Sequence, residues 1–364
     1  MKKLLVSLLV LVVLSGCFSK DSNVEEIPEV EEIVTNYTFS KDGQRYALRI
    51  PFTQSRLRIN HERRALYKED TFEITKQLQT MSANYFPVDK YFISEGTVIN
   101  ETLYTNLLRY ESDSNTNGLN PKADQAFDTV GGRKVEQPIV LIDLFEMNYY
   151  DSNATDAKLS GISIALAINK SVTTESGVSD SLSEQDMITY SENAARKLVS
   201  IIRQLPNMSQ VPIFIGLYSL EKADSNLSGG YVSSAYFKST SGQFEQVKQE
   251  WMMVPSAAAS RLFPEFMTEF EIMKRAVGDF IPEEQVGFVG KVRVINDEIQ
   301  YLQLSVNLQG KTYLEVQGVI QYVKELMQQR FEQFEFEILC EIKTGRDIVG
   351  VIKQKGNDIT VIYW

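Results

Sequence analysis

Histidine occurs once and cysteine twice in the 364 residues. One histidine (His61) and two cysteines (Cys17 and Cys340) are too few for the His/Cys ligand sets of zinc and transition-metal centres, so no metal or cofactor is expected. His61 lies in the charged stretch Asn60-His61-Glu62-Arg63-Arg64 and reads as an exposed surface histidine rather than the base of a Ser-His-Asp triad. The sequence has no Gly-x-Ser-x-Gly elbow, no phosphate loop ending in Gly-Lys-Ser/Thr and no Gly-x-Gly-x-x-Gly after a strand. Basic residues are also few: 37 Lys and Arg against 48 Asp and Glu give a net charge of −11. A surface that negative repels nucleic acid and anionic headgroups, so no nucleic-acid partner is expected. No catalytic residue stands out. Carboxylates are abundant and their pairing is spatial, so a carboxylate-based hydrolase stays as a lesser reading.

What is present begins at the first residue. Lys2 and Lys3 precede an apolar run, Leu4 to Leu14, broken only by Ser7, and small residues follow. This is the order of a secretory signal peptide, and the run is shorter than the roughly 20 residues that span a bilayer. The ending Leu14-Ser15-Gly16-Cys17 resembles the lipobox of bacterial lipoproteins. That resemblance implies cleavage between Gly16 and Cys17 and a diacylglyceryl group on the Cys17 thiol. Two acyl chains suffice for stable anchoring at about 0.8 kcal/mol per buried methylene, whereas one is marginal. The expected location is therefore the extracytoplasmic face of the cell membrane. Loss of Lys2 and Lys3 with the leader leaves 35 basic against 48 acidic side chains, a balance of −13. Cys340 would then have no cysteine partner. Its alternating setting, Phe334 to Ile342, reads as a strand in which it is a small buried apolar residue.

Four segments are expected: a signal peptide (1–16), an acidic tether (17–36), a main α/β domain (37–281) and a C-terminal α+β domain (282–364). The tether carries Glu25, Glu26, Glu29, Glu31 and Glu32 and is broken by Pro28, which favours a solvated, self-repelling chain. Tyr46 to Ile50 and Arg56 to Ile59 read as strands, and Thr71 to Tyr85 as an amphipathic helix. Asn100 caps a second helix that runs to Tyr110. Glu111 to Gln137 is a long polar segment, either disordered or a binding loop. Pro138 to Tyr149 is apolar and fits strand or helix equally.

The strand Leu159 to Ile168, a helix begun at Ser183 and Asp186, and the strand Val211 to Leu217 form a βαβ unit, whose strands belong parallel in one sheet. Gly230 to Lys238 and Gln246 to Ser256 read as further strands, and Leu262 to Gly278 as a helix. A hairpin turns at Asn296-Asp297, and Thr312 with Glu315 makes a capping box ahead of the apolar stripe Val316, Val319, Ile320, Val323, Leu326 and Met327. Strands over 334–342, 348–353 and 359–364 complete the chain. The fold class expected is α+β: a mixed sheet with a βαβ unit, then an antiparallel C-terminal sheet with one packed helix. The tyrosines Tyr149, Tyr150, Tyr231 and Tyr236 read as core or cross-strand residues before sugar-stacking ones, and Trp251 and Trp364 are read the same way.

The leader, the tether and a colinear set of segments resemble the CamS-type sex-pheromone lipoproteins of Gram-positive bacteria. The segments are Ala83 to Thr97 (ANYFPVDKYFISEGT), Gly118 to Pro121 (GLNP), Leu159 to Asn169 (LSGISIALAIN), Val211 to Leu217 (VPIFIGL), Gly230 to Lys238 (GYVSSAYFK) and Val286 to Val323. The resemblance implies a non-enzymatic lipoprotein whose signal peptide releases a short apolar signalling peptide. Carried onto this chain, that peptide is Val10, Leu11, Val12, Val13, Leu14, Ser15 and Gly16. It has no aromatic side chain, a departure from the aromatic-containing peptide of the family. The competing expectation is an envelope binding module for a wall glycan or peptide. An aromatic-lined groove would favour that reading, and a convergent acid pair with one raised pKa the hydrolase.

Overall fold

The structure, a computed structural model, describes residues 45–64, 70–173, 179–221, 225, 227–280 and 286–364. The leader, Cys17 and the tether lie outside the described residues, as does the boundary expected at Ile281-Pro282. The described residues fall in one compact unit built on two large sheets.

The strands are β1 (Ala47–Leu48), β2 (Phe92–Glu95), β3 (Ala126–Asp128), β4 (Lys134–Glu136), β5 (Leu141–Tyr150), β6 (Leu159–Ile168), β7 (Ser171–Thr173), β8 (Ser179–Ser181), β9 (Ile213–Ser219), β10 (Gly230–Phe237), β11 (Phe244–Gln246), β12 (Gln249–Val254), β13 (Gly287–Ile295), β14 (Glu298–Leu308), β15 (Glu337–Thr344), β16 (Asp347–Lys355) and β17 (Asp358–Tyr363). The first sheet runs β1-β2-β5-β6-β9-β10-β11. β6 and β9 pair in parallel, and the crossover between them is the helix Glu184–Arg203, as the βαβ reading requires. Pro138 to Tyr149, ambiguous by periodicity, supplies the interior strand β5, between β2 and β6 and antiparallel to both.

Strand β6 explains how the sheet is covered. Ile162, Ile164, Leu166 and Ile168 point to one face, against the crossover helix residues Leu198, Val199 and Ile202. Gly161, Ser163, Ala165 and Ala167 alternate with them and leave shallow space on the other face. Phe86, Tyr149 and the helix Thr71–Ser82, through Ile74 and Leu78, fill that space. A Cβ on Gly161 would stand 2.0 Å from the Phe86 ring, so this strand needs glycine there.

Two expectations change here. Arg56 to Ile59 is not a strand: Leu57 starts a turn into the helix Arg58–Arg64. A four-residue alternation fits either period. The turn closes because the Leu57 carbonyl accepts both Asn60 N–H (2.9 Å) and His61 N–H (3.0 Å). Glu111 to Gln137 is ordered. Its pin is buried Asn120, whose amide nitrogen donates to the Leu108 and Leu141 carbonyls (both 2.9 Å) while its oxygen accepts from Val140 and Leu141 N–H (2.9 and 2.8 Å). The rest of the segment folds back through the β3–β4 hairpin.

The second sheet runs β12-β13-β14-β15-β16-β17, and one of its faces is covered by the helices Pro264–Phe280 and Tyr313–Phe331. The capping box is present as read. Glu315 N–H bonds Thr312 Oγ1, and Glu315 Oε2 accepts from Thr312 N–H. Asn296 and Asp297 both have positive φ (49° and 66°), the geometry of a two-residue hairpin turn. Within this antiparallel-rich sheet β14 and β15 run parallel, because the helix Tyr313–Phe331 carries the chain back across the face before β15 begins. β12 and the two helices after it pack with this second sheet. Two residues, Val247 and Lys248, join the sheets and are bound to both: Val247 N–H to the Val232 carbonyl (3.0 Å), Lys248 N–H to Asn296 Oδ1 (3.2 Å). Cys340 on β15 is fully buried, and burial pushes its thiol up to about 12.

Candidate functional site

Asp143 stands out in β5 as a carboxylate inside an apolar run, fully buried. A buried carboxylate persists only where its oxygens are bonded. A β-bulge between Leu141 and Asp143 shifts the pairing with β6 by one residue at this point, the device that re-aims a strand side chain. Asp143 Oδ1 accepts from the Tyr104 hydroxyl (2.6 Å) and Leu144 N–H (2.6 Å). Its Oδ2 lies 2.9 Å from His61 Nδ1.

His61 is therefore not the exposed histidine its charged neighbours suggest; its side chain is 13% exposed. Leu57 and His61 are four residues apart, so both face inward from the same side of the turn. The ring lies flat on Phe145 (centroids 4.5 Å apart, planes at 23°) and meets Tyr104 edge-on at 5.9 Å. Nδ1 is bound to Asp143, Nε2 is the ring nitrogen that remains, and His61 lines a cleft of about 1240 Å³. Phe52 and Phe72, 54% and 75% exposed, form part of the cleft lining, with Leu48 on edge strand β1 beside them.

Three glutamates line the same cleft, Glu62, Glu95 and Glu146. Glu146 accepts N–H bonds from Thr97, Val98 and Ile99 (2.9, 2.9 and 2.8 Å). Asn148 adds an amide N–H to Glu146 Oε1 (2.8 Å), its own oxygen accepting from Thr97. Burial nonetheless raises the Glu146 carboxyl above the ordinary range, with these donors pulling the other way. The chain reaches this carboxylate at Gly96, where a Cβ would stand 2.4 Å from Glu146 Cβ. Glu95 is different. Its side chain reaches water, partial desolvation raises its carboxyl, and the neighbouring His61 lowers it. One signal for this site was available: an ionisable residue in an apolar strand run needs a partner.

The other expected residues separate. Tyr149 and Tyr231 are buried, and Tyr236 stacks on Tyr85 at 4.4 Å. Trp251 is buried, while Trp364 is exposed at the chain end. Leu14, Ser15, Gly16, Cys17 and the segment Val10 to Gly16 lie outside the described residues. Among the described residues no group of three or more His, Cys, Asp and Glu could hold a metal ion, and no helix is long and apolar enough to cross a membrane.

The family model described as CamS sex pheromone cAM373 precursor matches residues 52–359, most of the chain. The chain belongs to the CamS family. A sex pheromone precursor from Lactobacillus salivarius subsp. salivarius UCC118 has a similar structure, with a TM-score of 0.76 at 19% identity over 90% of this chain and 98% of that one. The C-terminal domain of the sex pheromone staph-cAM373 precursor from Staphylococcus aureus is also similar, with a TM-score of 0.65 at 20% identity over 80% of this chain and 95% of that one. At these identities the two likenesses speak for the fold. No curated protein sequence matches the chain. The match of the CamS model starts at residue 52, so the leader is read from its own residues.

Proposed function

We propose that this CamS protein is a lipid-anchored lipoprotein on the extracytoplasmic face of the cell membrane, and that its leader is the source of a short apolar signalling peptide ending at Gly16. Membership of a family of sex pheromone precursors, together with the Leu14-Ser15-Gly16-Cys17 ending of a short apolar leader, supports this reading. Signal peptidase cuts before Cys17, the Cys17 thiol carries the diacylglyceryl group, and further trimming of the leader releases Val10 to Gly16. The exported chain starts at Cys17, and the acidic tether holds the folded unit away from the anionic membrane surface.

The cleft favours a second role for the exported domain, the binding of a wall glycan or peptide. Exposed aromatic rings beside fixed polar groups are the means by which clefts hold such ligands.

The intact mass of the cellular protein and of its released peptide, with and without an inhibitor of lipoprotein signal peptidase, tests the anchor. A mass beginning at Cys17 plus diacylglycerol, lost under the inhibitor, is the expected result. An uncleaved or unlipidated mass refutes both the anchor and the peptide source.

A further inference from the structure

The geometry points to a hydrolytic site in the cleft, with His61 Nε2 as the base that activates water against an ester or amide carbonyl carrying an apolar group. The inference goes beyond the anchor and binding readings and departs from the non-enzymatic expectation.

Three observations carry it. First, the only histidine of the chain is fixed through Nδ1 by a fully buried carboxylate. Asp143 is itself held by the Tyr104 hydroxyl and Leu144 N–H, so ring orientation and tautomer are set before any ligand arrives. Second, the ring is gripped from face and edge by Phe145 and Tyr104, and His61 lines the cleft with Nε2 as the ring nitrogen that Asp143 does not take. A helix pinned to the sheet only for stability could do so with an apolar side chain, without the cost of burying a carboxylate. Third, the cleft has what a carbonyl substrate needs around such a base. Arg58 lies three residues before His61 on the same helical face and lines the cleft, a cation for the charge that develops on the carbonyl oxygen. Leu48, Phe52 and Phe72 provide the apolar lining.

The step balances with water alone. One water proton passes to Nε2 as the water oxygen bonds to the carbonyl carbon. The tetrahedral adduct then breaks its bond to the leaving oxygen or nitrogen, which takes the proton back from Nε2. An acid and an alcohol or amine leave, and nothing is oxidised. His61 is the catalytic residue; Asp143 and Tyr104 are positioning residues. The titratable groups around the ring are Asp143 and Tyr104 behind it, with Glu95, Glu62 and Arg58 along the cleft. Where Glu95 is ionised, its charge near the ring favours the imidazolium formed in the first half of the step.

The full-length chain in detergent, with p-nitrophenyl butyrate as probe, tests this independently of the lipid anchor. The expected result is a kcat/KM that rises with pH along one limb, as the imidazole becomes neutral. His61→Gln should lower it by about 100- to 10,000-fold and abolish the limb. Tyr104→Phe keeps the ring packing and should move the midpoint of the limb with a several-fold loss, which a purely structural tyrosine would not do. Hydrolysis by His61→Gln at the wild-type rate overturns the inference. So does a wild-type chain no faster than free imidazole at equal concentration, or a Tyr104→Phe profile that coincides with wild type.

Discussion

Substituting Gly161 by alanine tests the account of the first sheet. The new Cβ would stand 2.0, 2.5 and 2.9 Å from three atoms of the Phe86 ring, where ordinary contact begins at 3.4 Å. The ring has to retreat by roughly 1.4 Å (3.4 less 2.0). It has little room: Phe86 is buried, stacked on Tyr149 at 4.3 Å, and met edge-on by Tyr91 at 5.8 Å. Its carbonyl also accepts the Tyr46 hydroxyl, and Tyr46 leans on Tyr149 at 5.4 Å. Because several rings must move together, the cost belongs at the upper end of overpacking, about 3 kcal/mol. With a urea m value of about 3 kcal/mol/M, the unfolding midpoint should fall by about 1 M. Phe86→Ala alone should cost about 3–5 kcal/mol, and in that background Gly161→Ala should cost almost nothing, since its Cβ enters the vacated space. Equal costs of Gly161→Ala in both backgrounds would refute the close approach of ring and strand.

Three further outcomes follow from particular contacts. Asn100→Ala removes the side-chain oxygen that accepts Leu103 N–H at 2.9 Å and should cost about 1 kcal/mol in urea unfolding, with Asn100→Asp retaining most of it. Glu146→Gln must turn an amide NH2 toward backbone N–H groups that now meet carboxylate oxygens, and should destabilise by about 1–3 kcal/mol. The raised Glu146 carboxyl also fixes a sign for the wild type. A carboxyl whose folded pKa lies above its unfolded value contributes most below the unfolded pKa, and that contribution is lost as pH rises through the folded one, so a Glu146→Gln minus wild-type stability difference should narrow toward higher pH. Cys340, buried and pushed up to about 12, should not react with a thiol reagent at pH 8 in the native Cys17→Ser chain and should titrate as one thiol after unfolding.

Local chemistry was legible wherever a segment carries its own instructions. β6 occupies the span read for it, and the Thr312 box and Asn100 cap sit where side-chain spacing puts them. The parallel β6–β9 pair followed from an intervening helix. Pairings set by distant partners were not legible. Nothing in Gln249 to Val254 says that it joins the second sheet, and the hairpin before it does not foretell that β15 will lie parallel to β14. The cleft was hidden for the same reason. His61 and Asp143 are 82 residues apart, and the local sequence around His61 does not say which way its ring points. Asp143 between Ile142 and Leu144 was the mark to follow. Trp364, read with the core, is exposed.

Strand β1 has a mechanical consequence. It holds to β2 by two residue pairs, Ala47 with Phe92 and Leu48 with Ile93, and by Arg49 N–H on the Ile93 carbonyl. A clamp then takes over: the Arg49 guanidinium grips the Ala154 and Thr155 carbonyls, both at 3.0 Å, and lies over the Tyr150 ring at 4.2 Å. Any tension along the chain from its N-terminal side enters the described fold here, at its shortest ladder. Tyr46 and Leu48 are the first wall of the cleft to feel it, so a pull peels back that wall before the Arg49 clamp passes the load to Tyr150 at the end of β5 and to the loop after it. A protein held at that end would couple strain on its own leash to the width of its cleft.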